Sequence, residues 1–310
     1  MRARAHGFAW ALGVVALAFA VTAGAAQSHP AAHERVARTL DTSGDHPLTT
    51  VATFSGNTDV AVVAVPVSGG SDPSGTLNLS GLPAGATIDA AWVVVIDYSA
   101  AASTALTFAS QSVGSAAPTY VDPGYPLEVW RFDVTSLVTG NAAYTFATTG
   151  PRQCYGVGLV VVYSDPSLPV QQIVVNMGAE DLANASSTTS FAGFGGTGPG
   201  RLIVMTGADD PSSDAGESLA FNGVVIPGVL FNANLGDFTS LLTESVTVQG
   251  GANTATITTG GDQFGWAVAI VVGGQPAEPI PAAGHLGLAI LAVAIAALAA
   301  FILVRRSLAA

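Results

Sequence analysis

The stretch TGADDPSSDAGES places Asp209, Asp210, Asp214 and Glu217 within nine positions. Carboxylates clustered on a loop between strands are the donor type that Ca²⁺ takes. The spacing is not that of an EF-hand loop, so a second reading stands beside the first. That reading is a solvated turn whose Asp and Ser side chains bond their own backbone. Ca²⁺ is the one cofactor expectation, and it rests on these four residues.

What the chain lacks narrows the remaining chemistry. Between Val51 and Pro279 there is no His and no Lys. Ser–His and Cys–His nucleophile schemes, a His-ligated zinc site and a catalytic Lys therefore have no members in that stretch. Cys154, the only cysteine, has no base partner there and no second cysteine with which to form an intrachain disulfide; it reads as a small, half-buried side chain. Carboxylate-pair hydrolysis survives, because two Asp or Glu suffice for it. Sugar sites also use exposed aromatics, however, and Trp92, Trp130 and Trp266 all sit in apolar runs and read as core. No catalytic residue is assigned. His29 and His33 have i,i+4 spacing but no third ligand, and Asp72 and Asp122 sit in Asp-Pro turns.

The middle of the chain must position whatever chemistry there is. From about Val51, short runs rich in Val, Ile, Thr and aromatics alternate with Gly, Pro, Ser, Asp and Asn clusters, as in VAVVAVPV, AWVVVIDY, LEVWRFDV and GLVVVYSD. This texture predicts an all-β fold of antiparallel sandwiches, jelly-roll or Ig-like, rather than βαβ units. In LEVWRFDV, Glu128, Trp130, Phe132 and Val134 share one face and Leu127, Val129, Arg131 and Asp133 the other. The Trp130 face is the better core candidate.

The chain also repeats itself. Segments 105–116, 144–150 and 154–166 resemble 218–229, 255–261 and 263–276, at offsets of 113, 111 and 109. Segment 91–100 then matches 200–209. Two tandem sandwiches, 51–182 and 183–275, account for this with the join near GAEDLANASS; a single sandwich with two pseudo-symmetric halves is the alternative.

The ends differ from the middle. Residues 1–26 carry Arg2 and Arg4, an apolar run and small residues at the end, the layout of a cleaved signal peptide. An uncleaved anchor is the rival reading. Residues 27–50 read as a flexible leader. Leu286 to Val304 is an uncharged, Pro-free run long enough to span a bilayer as a transmembrane helix. Arg305 and Arg306 follow in the basic tail 305–310, which the positive-inside rule places in the cytoplasm, with the bulk outside. That bulk is acidic: the net charge is −12, and only five arginines stand against the 21 acids between the terminal segments. Such a charge disfavours nucleic acid as a partner.

The segment 276–285 before the span contains IPAAGH. With Ile280, Pro281 and Gly287, the span and the Arg305/Arg306 pair, the tail resembles an IPTL-type C-terminal sorting domain, a relative of the PEP-type tails. The resemblance implies processing by an exosortase-like enzyme of the bacterial envelope. Leu286 stands where that family has tryptophan. Within 129–175, Asp133, Val134, Thr135, Leu159 to Tyr163, Asp165, Pro166 and Ser167 form a pattern that resembles an uncharacterised family of extracellular prokaryotic surface β-domains. That second resemblance implies fold and location but no activity.

The function expected is a non-catalytic exported protein of the envelope, cell surface or extracellular matrix, structural or adhesive. Its expected partners are the membrane through the C-terminal helix, the processing enzyme, and extracellular polysaccharide or other envelope proteins. A carbohydrate-binding or carbohydrate-hydrolysing module is the alternative. A secretion or filament subunit is a third class, and a long open strand edge that accepts another chain's strand would point to it.

Overall fold

The computed structural model describes residues 46–274, apart from 68, 99–100, 102, 123–126, 184, 209–215, 229–230, 232–233, 236–238 and 260–262. All of them lie in the second of two compact units, His33–Ala310. The signal segment, Asp209, Asp210 and Asp214, the sorting residues Ile280, Pro281 and Gly287, the span, and Arg305 and Arg306 fall outside the described residues. Among those described, no helix is long and apolar enough to cross a membrane.

The fold is all-β and every strand pairing is antiparallel. The first half of the chain forms β1 (His46–Val65), β2 (Ser74–Leu79), β3 (Thr87–Asp97), β4 (Thr104–Phe108), β5 (Gln111–Ala116), β6 (Tyr120–Asp122), β7 (Leu127–Asp133), β8 (Ala142–Thr149) and β9 (Cys154–Ser164). The second half forms β10 (Val170–Ala183), β11 (Ser186–Phe194), β12 (Gly198–Gly207), β13 (Ser218–Phe221), β14 (Val224–Val225), β15 (Thr239–Val248), β16 (Gly251–Thr258) and β17 (Gln263–Gly273).

One large sheet runs β15-β12-β17-β10-β1-β9-β3-β7-β6, and two small sheets run β2-β8-β4-β5 and β11-β16-β13-β14. The two halves share one plan. β1-β9-β3-β7 lies over β2-β8-β4-β5, and β10-β17-β12-β15 lies over β11-β16-β13-β14, strand for strand in chain order. Each segment pair that looks alike in sequence occupies matching strands: 91–100 and 200–209 carry β3 and β12, and 154–166 and 263–276 carry β9 and β17.

β10 takes the place in the second set that β1 has in the first, so that set begins at Val170, ahead of the 182/183 boundary read from the sequence. The GAED stretch that looks like a link is a register irregularity inside β10, between Met177 and Glu180. A bulge uses the same small and polar residues as a linker. β1 likewise opens at His46, inside the segment read as leader.

β1 is the spine of the large sheet. Its residues up to Asn57 pair with β10, and those from Thr58 onward pair with β9. Gly56, just before the hand-over, has φ +120, a conformation that side-chain-bearing residues rarely adopt. The two halves of the large sheet face each other across a core that includes Phe54, Trp92, Ile96, Leu127, Val160, Met205 and Ile270. Two further cores lie under the small sheets, one around Trp130, Phe108 and Leu159, the other around Trp266, Phe231 and Phe264.

This layering explains a difference from the sequence reading of β7. Trp130, Phe132 and Val134 are buried as expected, but so are Leu127 and Val129 on the opposite face. A sheet packed on both sides has no solvent face, and its strands read as near-continuous apolar runs. The small-sheet strands do alternate: in β8, Tyr144, Phe146 and Thr148 are buried while Thr145, Ala147 and Thr149 are exposed.

Candidate functional site

β3 ends at Asp97 and β7 begins beside it, which places Asp97 opposite Glu128 on the face that carries Val95 and Trp130. Residues directly opposite in an antiparallel pair share a face. Both carboxylates thus sit at the end of the first small-sheet core, Asp97 fully buried and Glu128 7 % exposed. Backbone amides meet them: Gln153 N donates to Asp97 Oδ1 at 2.7 Å and Ala101 N to Glu128 Oε2 at 2.6 Å. Burial pushes Glu128 up from 4.5 to about 7; the Ala101 amide opposes the rise and the Asp97 charge adds to it.

Cys154 pairs with Asp97 on the neighbouring strand and is wholly buried rather than half-buried. Its thiol donates to the Gly156 carbonyl at 3.7 Å, and burial pushes it up to about 12, the wrong direction for a nucleophile at neutral pH.

The second half fills the matching positions with neutral groups. Thr206 stands opposite Ser240, both fully buried, where the first half has Asp97 opposite Glu128. The second half carries its acid at Glu217, just ahead of β13. The described member of the proposed Ca²⁺ set is thus buried, and its Oε2 accepts from Phe231 N at 3.1 Å. In the matching place the first half has the buried Thr104, the first residue of β4. Among the described residues no group of three or more His, Cys, Asp or Glu is arranged to hold a metal ion.

The sequence did carry a signal for the Asp97–Glu128 pair. Period 2 puts Glu128 on the same face as Trp130 and Phe132, and a carboxylate on a core face marks a perturbed group. Its partner Asp97 is set by strand order, which no local pattern states. Chemically, burial is the main reason Glu128 is held near neutrality, and the Asp97 charge adds to it. Here the pair also latches backbone amides from two loops.

A second feature lies at the far edge of the second half. Phe221, Val224, Val225, Ile226, Pro227 and Val246 line a groove of about 280 Å³, together with the polar Asn222, Ser245 and Thr247 and with Gln249 just after β15. Val224 and Val225 are 70 % and 60 % exposed.

The family pattern that matches this chain covers residues 42–272, and so runs through both halves. The chain belongs to the family described as "Protein of unknown function (DUF3344)". No curated protein matches it. Among solved structures, a beta-porphyranase of glycoside hydrolase family 86 from the human gut bacterium Bacteroides plebeius is 14 % identical over 78 % of this chain and 38 % of its own, with a TM-score of 0.24. A family 86 enzyme solved in complex with neoagarooctaose is 11 % identical over 75 % and 34 %, with a TM-score of 0.22. The major capsid protein P2 of bacteriophage PM2 is 10 % identical over 69 % of this chain and 97 % of its own, also at 0.22. The DUF3344 chain thus spans little more than a third of either glycosidase.

Proposed function

We propose that this DUF3344 protein is an exported, non-catalytic building block of the cell envelope or extracellular matrix: two jelly rolls in tandem, carried to the surface by its signal peptide and sorted through its C-terminal tail. The carrying observation is the use of the large sheet. Both of its faces are committed to packing, so the body is a thick, four-layered β-block. The broad outward faces belong to the small sheets and present uncharged residues such as Thr145, Ala147, Ser186, Thr188 and Ser190. The acids that come together, Asp97 and Glu128, are buried and engaged with backbone amides rather than lining a cleft. A thick, doubly packed body with uncharged, hydroxyl-rich small-sheet faces suits a wall or matrix component that contacts polysaccharide or other envelope proteins.

The test is the intact mass of the protein from its native cells, with membrane, envelope and medium fractions measured separately. Loss of residues 1–26 and of everything after about Ile280, with the product in the envelope or medium, is the expected result. A chain that keeps its tail and stays in the inner membrane overturns the sorting part. Release of sugar from a panel of extracellular polysaccharides by the purified chain overturns the non-catalytic part.

A further inference from the structure

The two halves differ at one edge. In the first half the outer side of β7 is covered by the chain's own segment 119–122: β6 pairs with Leu127, Glu128 and Val129, Thr119 N donates to the Val129 carbonyl at 2.9 Å, and Arg131 N donates to Thr119 Oγ1 at 3.0 Å. The matching strand of the second half, β15, ends the large sheet. Only its first residues are covered. Leu235 N donates to the Thr239 carbonyl, and the Asn234 side chain bonds both the amide and the carbonyl of Leu241. Backbone direction alternates along a strand, so Thr243, Ser245 and Thr247 also turn their amides and carbonyls outward. Among the described residues nothing bonds them. The other long edge, β11, is closed differently: Asn176 and Gln172 donate to the carbonyls of Ser190 and Ala192.

We infer that the open edge of β15 joins a second copy of this chain, β15 against β15 about a two-fold axis at Ser245, to make one continuous sheet across the two molecules. The first half shows that an extended segment fits this place in the fold. Self-complementarity selects the second copy. With Ser245 on the axis, Thr243 meets the partner's Thr247, Leu242 meets Val248, and Glu244 meets Val246 rather than another Glu244. Small hydroxyl pairs lie on one face, the Leu242–Val248 and Glu244–Val246 pairs lie on the other, and no like charges oppose each other. The pairing satisfies the outward backbone groups of three residues and covers the exposed Val224 and Val225 beside the groove. This deepens the structural reading by stating how blocks join. Its test reads the edge alone, whatever happens to the tail, so the two ideas fail separately.

The test is cysteine cross-linking of the full-length chain isolated from producing cells, where the buried Cys154 is silent. Residues opposite each other at an antiparallel hydrogen-bonded position are close enough for a disulfide, so Ser245→Cys should give about tenfold more covalent dimer than Thr145→Cys on the exposed face of β8. Thr243→Cys and Thr247→Cys should each give little dimer alone, but a mixture of the two should cross-link. No dimer from Ser245→Cys or from that mixture, equal dimer from all variants, or a covalent adduct with a different protein overturns the inference.

Discussion

Met205 of β12 occupies the space that Gly158 of β9 leaves by having no side chain: a Cβ built on Gly158 would lie 2.6 Å from the Met205 sulfur and 3.0 Å from its terminal carbon. The two halves of the large sheet approach this closely across the central core. Gly158→Val should therefore force them apart and cost about 1–3 kcal/mol, the usual penalty of overpacking. The midpoint of urea unfolding measures it, and a midpoint equal to that of the wild type would mean that the halves do not meet at this point.

Glu128 predicts a pH dependence with a definite sign. Its folded value of about 7 lies above the ordinary 4.5, so the fold favours the protonated form. The associated stability is complete below about pH 4.5 and is lost as pH rises through about 7. Because solvent screens part of the effect, the rise corresponds to an upper bound of about 3 kcal/mol. Glu128→Gln keeps an acceptor for Ala101 N and removes the charge. It should flatten that part of the pH–stability curve and be more stable than wild type above pH 7. Parallel curves for the two proteins would refute the assignment.

Cys154 should be inert in the folded protein. It is fully buried with its thiol pushed up to about 12, so a thiol reagent at pH 8 should label it only after denaturation. Rapid labelling of native protein would show that the end of the first half opens readily.

Asn176 joins three strands. Its Nδ2 donates to Thr189 Oγ1 at 2.7 Å and to the Ser190 carbonyl at 2.8 Å, and its Oδ1 accepts from Thr50 Oγ1 at 2.9 Å. Asn176→Leu fits an apolar group into the same place but strands these partners. A loss of about 2–4 kcal/mol is expected from several buried groups left unpaired. A near-neutral result in calorimetry would mean that water replaces the side chain.

Much of this architecture is written locally along the chain. Runs such as AWVVVIDY and GLVVVYSD state strands through β-branched density, the small-sheet strands state their exposed face through period 2, and the recurrence of segments 105–116, 144–150 and 154–166 states the shared plan of the two halves. The absence of His and Lys between Val51 and Pro279 bounds the chemistry without any coordinates. What the tertiary structure decided is non-local. Leu127 and Val129 are buried because a second sheet half covers them, β10 belongs to the second strand set because of its neighbours, and GAED is a bulge because its flanks stay paired. Asp97 meets Glu128, and among the described residues the outer edge of β15 beyond Leu241 has no neighbouring strand where β7 has β6, for the same reason. Periodicity reports which residues share a face of one strand. Which surface that face meets depends on strand order, and strand order is set by contacts between residues far apart in the chain.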